Sequence, residues 1–393
     1  MSDNLPHDLH IQILKHLPLI SILRFRTVCK SWNSLITTHH FMLAHIQTNR
    51  HKSLIIRFFD RTHKTEQYIL GKDDQTFGSH FSNIKFPCIS STNAYHRNRI
   101  VGYSNGVFCL TDDLFDSMHM VALWNPSIRK SVKVTVKKYE QGSPYNMMTV
   151  LGFGVCPMTS DPKVVKIVYL NDFSIPSSIR VRELPFVEVF SVSLGCWRMP
   201  FGDGSYPRST ILVSWSQVCY NGIIHWVACD KGHDSSHLIN EVRFCSMILS
   251  FDLVSELFVE MMLPDALTCQ NVLNLSITER KGCLAMMVYN LEKGMESCGV
   301  WVMREYGVIG SWERMCVVRL PGLLRRSVGF RVNGDVVLAL KNNELVFVDC
   351  DGNVKSLGIY GNIRSFFLGT YMESLTLINQ MDGQIYCNNE DEH

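Results

Sequence analysis

The sequence predicts an α+β chain: a three-helix unit at the N-terminus, then a mainly-β, propeller-like domain of about seven blades, with six to eight allowed. Three observations carry this. Apolar residues keep a helical period over residues 1–46. The period changes to two from Ser53. Beyond that point short strands and Asn-Gly or Lys-Gly turns recur almost to the end, with no amphipathic helix of useful length between them.

Leu9, Ile13 and Leu17 stand at i, i+4 and i+8, with Leu14 beside them, and draw an apolar stripe on a first helix. Pro18 breaks that run, because the residue before a proline is pushed out of the α region. Ser21 is the expected cap of a second helix, which carries Ile22, Leu23, Phe25, Val28 and Cys29 on one side. Lys30, Ser31, Trp32, Leu35 and Ile36 continue the pattern. A helical unit of about 40 residues is too small to bury all these side chains in a core of its own. Some of Leu5, Pro6, Leu14, Leu17, Pro18, Cys29 and Trp32 are therefore expected to face another chain.

Residues 47–98 read as a linker and first strands, 99–387 as the β-domain and 388–393 as a solvated tail. Leu54 to Phe59 reads as a buried strand and Gln67 to Leu70 as its hairpin partner. Residues 71–98 are polar and read as a long connection. Strands follow at Gly106–Leu110, Val121–Trp124, Val132–Val136, Thr149–Phe153 and Lys163–Tyr169. A weak repeat has aromatics around a polar turn: Phe190 to Trp197, Phe251 to Phe258, and Trp301 to Trp312, with Phe347 to Val354 of the same shape. Asn105-Gly106, Asn221-Gly222, Lys281-Gly282 and Asn333-Gly334 mark tight hairpins, since Asn and Gly accept the positive φ such turns need. Small amphipathic sheets repeated in this way cover both faces by stacking about an axis, which is the propeller solution; a sandwich pair is the rival.

The N-terminal residues resemble the F-box. Leu5-Pro6, Asp8-Leu9, Ile13-Leu14, Leu17-Pro18, Ser21, Leu23, Arg24-Phe25-Arg26, Val28 to Trp32 and Leu35-Ile36 match nearly position for position, and Phe41 and His45 extend the match. Gln12 departs from it, standing where the family usually has an acidic residue. The resemblance implies docking on a Skp-type adaptor, and through it on a cullin and a RING subunit. It assigns that contact to Leu5, Pro6, Leu9, Ile13, Leu14, Leu17, Pro18, Leu23, Phe25, Val28, Cys29, Trp32 and Leu35. Gly106-Val-Phe108, Leu123 to Ser127, Gly152-Phe-Gly154, Lys163 to Ile167, Ile224-His-Trp226, Ile248 to Asp252 and Phe258 to Pro264 look like the associated domain of plant F-box/kelch-type proteins, the wider group of the S-locus F-box proteins. The double-glycine mark of kelch repeats is absent, and Pro162 stands where that domain often has an aromatic.

Composition narrows the classes. A net charge of +2 argues against nucleic acid or an anionic membrane as main partner. No apolar run reaches the ~18 residues of a membrane span, and no signal peptide is visible. Fourteen scattered cysteines without a C-x-x-C pair read as free thiols in a reducing compartment, cytoplasmic or nuclear. His39, His40, His45 and His51 lack the companion ligands of a metal site, and His233 and His237 sit in a loop-like run, so no metal or other cofactor is expected. Gly152-Phe-Gly154 and Gly202-Asp-Gly204 open no helix, which removes the dipole a phosphate needs. No G-x-S-x-G elbow is present. His225 reads as a packed strand residue, and no cysteine has an evident basic neighbour to make it a thioester nucleophile. Trp197, Phe258 and Trp312 read as blade-to-blade packing.

The expected function is thus a non-catalytic substrate receptor of an SCF-type (Skp–cullin–F-box) ubiquitin ligase. The alternative is a protein-interaction scaffold without a ligase role. Loops within 171–183, 200–210 and 230–241 are the expected target contacts, with Phe173, Asp203, Tyr206, Arg208, His233 and His237 as candidates. By analogy with the S-locus group, a ribonuclease is one target class.

Overall fold

The computed structural model describes residues 6–49, 53–74, 76–84, 99–111, 120–136, 146–171, 184–200, 206–207, 209–211, 217–231, 244–349, 351–381 and 383–385. Four helices open the chain: α1 (His7–Leu14), α2 (Leu19–Phe25), α3 (Lys30–Ile36) and α4 (His39–Thr48). The fourth is the continuation expected after residue 37. Leu17 lies outside α1, in the turn that ends at Pro18. Pro18, not Ser21, holds the N-cap position of α2, because its fixed φ of −57° suits a helix entry. Ser21 sits inside the first turn.

The β-domain is a propeller of six blades. Blade 2 is β4 (Arg99–Ser104), β5 (Val107–Thr111), β6 (Met120–Asn125) and β7 (Lys130–Thr135). Blade 3 is β8 (Asn146–Val155), β9 (Pro162–Asn171), β10 (Phe186–Ser191) and β11 (Cys196–Arg198). Blade 4 is β12 (Gln217–Tyr220), β13 (Ile223–Lys231), β14 (Phe244–Asp252) and β15 (Phe258–Met262). Blade 5 is β16 (Leu275–Arg280), β17 (Cys283–Asn290), β18 (Ser297–Met303) and β19 (Trp312–Arg319). Blade 6 is β20 (Leu324–Phe330), β21 (Val336–Leu340), β22 (Glu344–Val348) and β23 (Val354–Tyr360). Blade 1 joins both ends of the domain. Its β1 (Ser53–Asp60), β2 (Thr65–Lys72) and β3 (Ser82–Asn83) come first in the chain, and β24 (Phe367–Tyr371) pairs antiparallel with β1 as the innermost strand. A last strand, β25 (Gly383–Ile385), adds in parallel to the outer edge of blade 2.

The blade count is six, inside the expected six to eight and one below the central value, because each unit carries longer connections than the shortest repeat. The first strands expected from Ser53 are present, and over residues 53–83 they build a blade whose inner strand arrives from the far end of the chain. The predicted first hairpin is present, with Phe58 opposite Gln67 and Asp60 opposite Thr65. The sandwich alternative falls with the ring of inner strands, which touch one another in turn from β4 round to β24.

The hydrophobic clusters follow this geometry, one per junction. Phe153 and Phe190 meet Val121 and Leu123 between blades 2 and 3. Trp226 and Phe251 meet Val165 and Val189 between blades 3 and 4. Met286 and Trp312 meet Ile248 and Leu263 between blades 4 and 5. The remaining three junctions are apolar in the same way. No blade could stand without these contacts, since the central strands of each sheet bury apolar side chains on both faces.

The repeated sequence marks are hairpins. Phe190 pairs with Trp197, Phe251 with Phe258 and Met303 with Trp312, all across the turn between third and fourth strands. Asn105-Gly106, Asn221-Gly222 and Lys281-Gly282 join first and second strands, both residues of each pair at positive φ. Gly152-Phe-Gly154 serves packing: a Cβ on Gly152 would stand 2.1 Å from the Trp226 ring. Trp197 donates its indole N–H to the Thr135 carbonyl of the next blade, 2.9 Å.

The axis of the propeller is filled on the side of blades 2 to 4. The Gln217 amide donates to the Phe153 carbonyl (3.1 Å) and accepts from the Phe153 N–H (2.8 Å). It lies so close to Gly102 that a Cβ there would overlap it, at 2.1 Å.

His225 is fully buried in β13, with Nε2 2.7 Å from the Tyr306 hydroxyl. Burial lowers its pKa to about 4, whereas an unfolded histidine takes its proton near pH 6.5. The stability this site allows is therefore complete above pH 6.5, declines through the interval, and is lowest below about 4. Melting followed from pH 7 to pH 4 should show a shallower decline in His225→Gln than in the native chain.

Candidate functional site: the helical head and the end opposite it

The head has a core that faces inward and an apolar surface that faces out. Ile11 and Leu14 of α1, Leu19 and Ile22 of α2, Leu35 and Ile36 of α3 and Phe41 of α4 are buried together. Leu375, Ile378 and the half-buried Ile128, all from the β-domain, complete this cluster. The head is thus seated on the propeller. The Asn379 amide donates to the Thr37 carbonyl at 3.3 Å across the same seam.

On the other side of α1, Leu9 and Ile13 are exposed, 46% and 56%. Ile20 on α2 and Val28 before α3 are exposed as well, each 62%. One short helix therefore carries two apolar faces: Ile11 and Leu14 for its own fold, Leu9 and Ile13 for solvent. The expected stripe merged these two faces. Of the residues assigned to adaptor contact, Pro6, Leu9, Ile13, Pro18, Val28 and Cys29 are exposed. Leu17, Leu23, Phe25 and Trp32 are half-buried against the head core. Leu14 and Leu35 are each 3% exposed, so the structure removes them from the contact set; they close the core. Leu5 lies outside the described residues. Ile20, also exposed, was not among the expected contact residues, although its position beside Pro18 in an apolar run is a signal the sequence offers.

Local chemistry fixes these short helices. The Cys29 thiol accepts from the Trp32 N–H (3.4 Å) and caps α3; the Thr38 hydroxyl accepts from the Phe41 N–H (3.2 Å) and caps α4. Trp32 packs edge-on to Phe25, with ring centroids 5.1 Å apart. His45 is buried, and its Nε2 bonds the Leu17 carbonyl at 3.1 Å. Burial lowers its pKa, which keeps the ring neutral as a donor to that carbonyl. Asn49 donates to the Lys15 carbonyl at 2.7 Å. Both side chains pin the connection from α1 to α2, and with it the exposed Leu9–Ile13 face.

Strand direction separates the head from the strand ends that lead into the longer connections. The head sits by the β6–β7 turn at Ile128, while Met42 of α4 lines a small cavity with residues 159–162 and Ser193, from the β8–β9 and β10–β11 turns. Turns between first and second strands, and between third and fourth, all lie at that end of an antiparallel blade. The strand ends leading into 112–119, 137–145, 172–183 and 232–243 lie at the opposite end. Phe173, Asp203, Arg208, His233 and His237 fall outside the described residues. Tyr206 is half-buried against the cluster between blades 3 and 4, so it packs rather than projects.

Among the described residues no cluster of His, Cys, Asp or Glu could hold a metal ion. The described cysteines form no disulfide. Burial pushes the Cys298 thiol up to about 12 and Cys219 up to about 11, which keeps both protonated. No described helix is long and apolar enough to cross a membrane.

A helical head of this kind on a six-bladed β-domain is the architecture of an F-box protein. Residues 2–43 match the F-box domain and residues 79–376 match the F-box associated beta propeller domain, and the chain belongs to that family. It is similar to the F-box protein At3g07870 of Arabidopsis thaliana, 28% identical, across 91% of this chain and 88% of that one. It is also similar to the F-box/kelch-repeat protein At3g23880 of the same plant, 24% identical, across 81% and 80%.

Proposed function

We propose that this chain is the substrate-recognition subunit of an SCF-type ubiquitin ligase. Its head binds a Skp-type adaptor, and cullin and RING subunits join through that adaptor. The propeller binds the protein to be ubiquitinated, and no side chain of this subunit makes or breaks a bond. Raising the local concentration of target lysines near a ubiquitin-conjugating enzyme is the whole of its chemistry. The observation that carries this reading is the second apolar face of α1. Leu9 and Ile13 stay in water although the head has a closed core, and the family expectation supplies an adaptor to cover them. The opposed placement of the head and of the strand ends that lead into the longer connections supports it, since adaptor and target then occupy different ends. The reading places the protein in the cytoplasm or nucleus, where such ligases work, and leaves a ribonuclease as one target class by analogy.

The double variant Leu9→Asp, Ile13→Asp tests the head. Each anchor is worth about 1.5–3 kcal/mol when covered, so adaptor co-purification should be lost. Melting should be unchanged, because neither side chain belongs to the core. Retained adaptor binding would refute the docking reading. Leu17→Ala with Trp32→Ala is a poorer probe, since both side chains also pack on the head core.

A further inference from the structure

We propose that the wedge between blades 4 and 5 is a docking groove for an extended acidic segment of the target, with carboxylates at i and i+4 and an apolar residue at i+2. The word target rests on the receptor reading; the groove itself does not.

The groove has a volume of about 540 Å³. One wall is the connection out of blade 4: Ala266 and Leu267 of α5 (Asp265–Thr268), then Gln270 and Asn274. The other is the face of β17 to β19. Three cross-strand rows build that face. Asn290, Ser297 and Arg319 form the first, Val288, Gly299 and Val317 the second, and Trp301 with Arg314 the third. Arg314 and Arg319 have opposite parity on β19, so a regular strand would send them to opposite faces. A β-bulge opposite Val300 and Trp301 takes up the extra residue, Met315, and turns both arginines into the groove.

Charge and spacing then select the occupant. Both arginines are exposed, and among the described residues neither guanidinium has an ion-pair or hydrogen-bond partner. Among the described residues no Asp or Glu lines the cavity. Their partners on β18, Ser297 and Trp301, are four residues apart, about 13 Å along a strand. In an extended peptide, residues i and i+4 span the same distance and residue i+2 points the same way. That middle residue meets Val288 and Val317 over Gly299, whose missing side chain leaves the floor open: the atoms nearest a Cβ there are 3.9 Å away. Two guanidinium forks receive carboxylates well. The groove reaches the β17–β18 connection and the end of β19, at the propeller end opposite the head.

The test is fluorescence anisotropy on the full chain with three labelled peptides. One carries Glu-Ser-Leu-Ser-Glu, one Lys-Ser-Leu-Ser-Lys, and one has its two Glu adjacent. The first should bind at physiological salt and the others at least about tenfold more weakly. Arg314→Glu with Arg319→Glu should reduce the first by about tenfold or more and favour the lysine peptide. Gly299→Val should weaken the first peptide with both arginines intact. Both variants should melt as the native chain does and still bind adaptor. Equal binding of all three peptides, no binding of the first, or binding indifferent to these substitutions overturns the groove. Adaptor co-purification is scored separately. Peptide binding without adaptor sinks the receptor reading alone, and adaptor binding without peptide sinks the groove alone.

Discussion

Glu256→Ala is expected to destabilise the propeller by about 3–5 kcal/mol, read as a lowered urea midpoint. The Glu256 side chain is fully buried in the β14–β15 turn of blade 4. It accepts both guanidinium N–H groups of Arg198, at 2.6 and 2.5 Å, and the ammonium of Lys163 at 2.8 Å. Both cations belong to blade 3, so one carboxylate clamps two blades together near the head end. Lys163 also donates to the Leu253 carbonyl at 2.8 Å. Removing the carboxylate leaves two cations with little access to water, and that penalty exceeds the loss of the bonds themselves. Adding Arg198→Met and Lys163→Met to Glu256→Ala should therefore recover part of the loss. A single substitution costing less than about 1 kcal/mol would contradict this account.

Asn125→Leu is the second. Asn125 is fully buried at the end of β6. Its amide donates to the Ser374 carbonyl (3.0 Å), the Ser374 hydroxyl (3.2 Å) and the Thr376 carbonyl (2.7 Å), and its oxygen accepts from the Ser127 N–H (3.0 Å). Leucine would leave the Ser374 and Thr376 carbonyls unpaired away from water and take the partner of the half-buried Ser127 N–H. At 1–3 kcal/mol for each such group, the expected cost is about 3 kcal/mol or more. The effect should spread, because Leu375 lies within this latch and Ile378 just beyond it, and both sit under the head. Hydrogen exchange should then speed up in α1 to α4 as well as around residues 372–380. Loosening of blade 2 with unchanged protection of the helices would separate latch from head.

These residues also mark how far the sequence could be read. Local signals were legible: the Ser53 change of period, the pairing of the Leu54–Phe59 and Gln67–Leu70 strands as a hairpin, and the positive-φ turns at Asn105, Asn221 and Lys281. Each depends on neighbours a few residues apart. The Trp124-Asn125-Pro126 run was visible as a family mark, but its role was not, because its partners lie near residue 375. The blade count stayed a range, six to eight, for a similar reason. Hairpins were recognised, but the length of the connections between them is set by no local pattern. In the head, spacing showed where the apolar groups are and not which way they point. Leu14 and Ile13 are adjacent, and only packing against Leu375 and Ile378 decides that one is core and the other surface. The groove between blades 4 and 5 was illegible, since it depends on one bulged residue.

The pairing of β24 with β1 has a consequence for synthesis. The edge of β1 emerges from the ribosome early, yet the strand that covers it follows more than three hundred residues later. At a translation rate of about 5–20 residues per second, that edge waits for roughly tens of seconds. During that interval the head has no Leu375 or Ile378 to rest on. A nascent or prematurely terminated chain thus carries a bare strand and an unseated adaptor module together, and both faults are mended only when the last blade partner arrives.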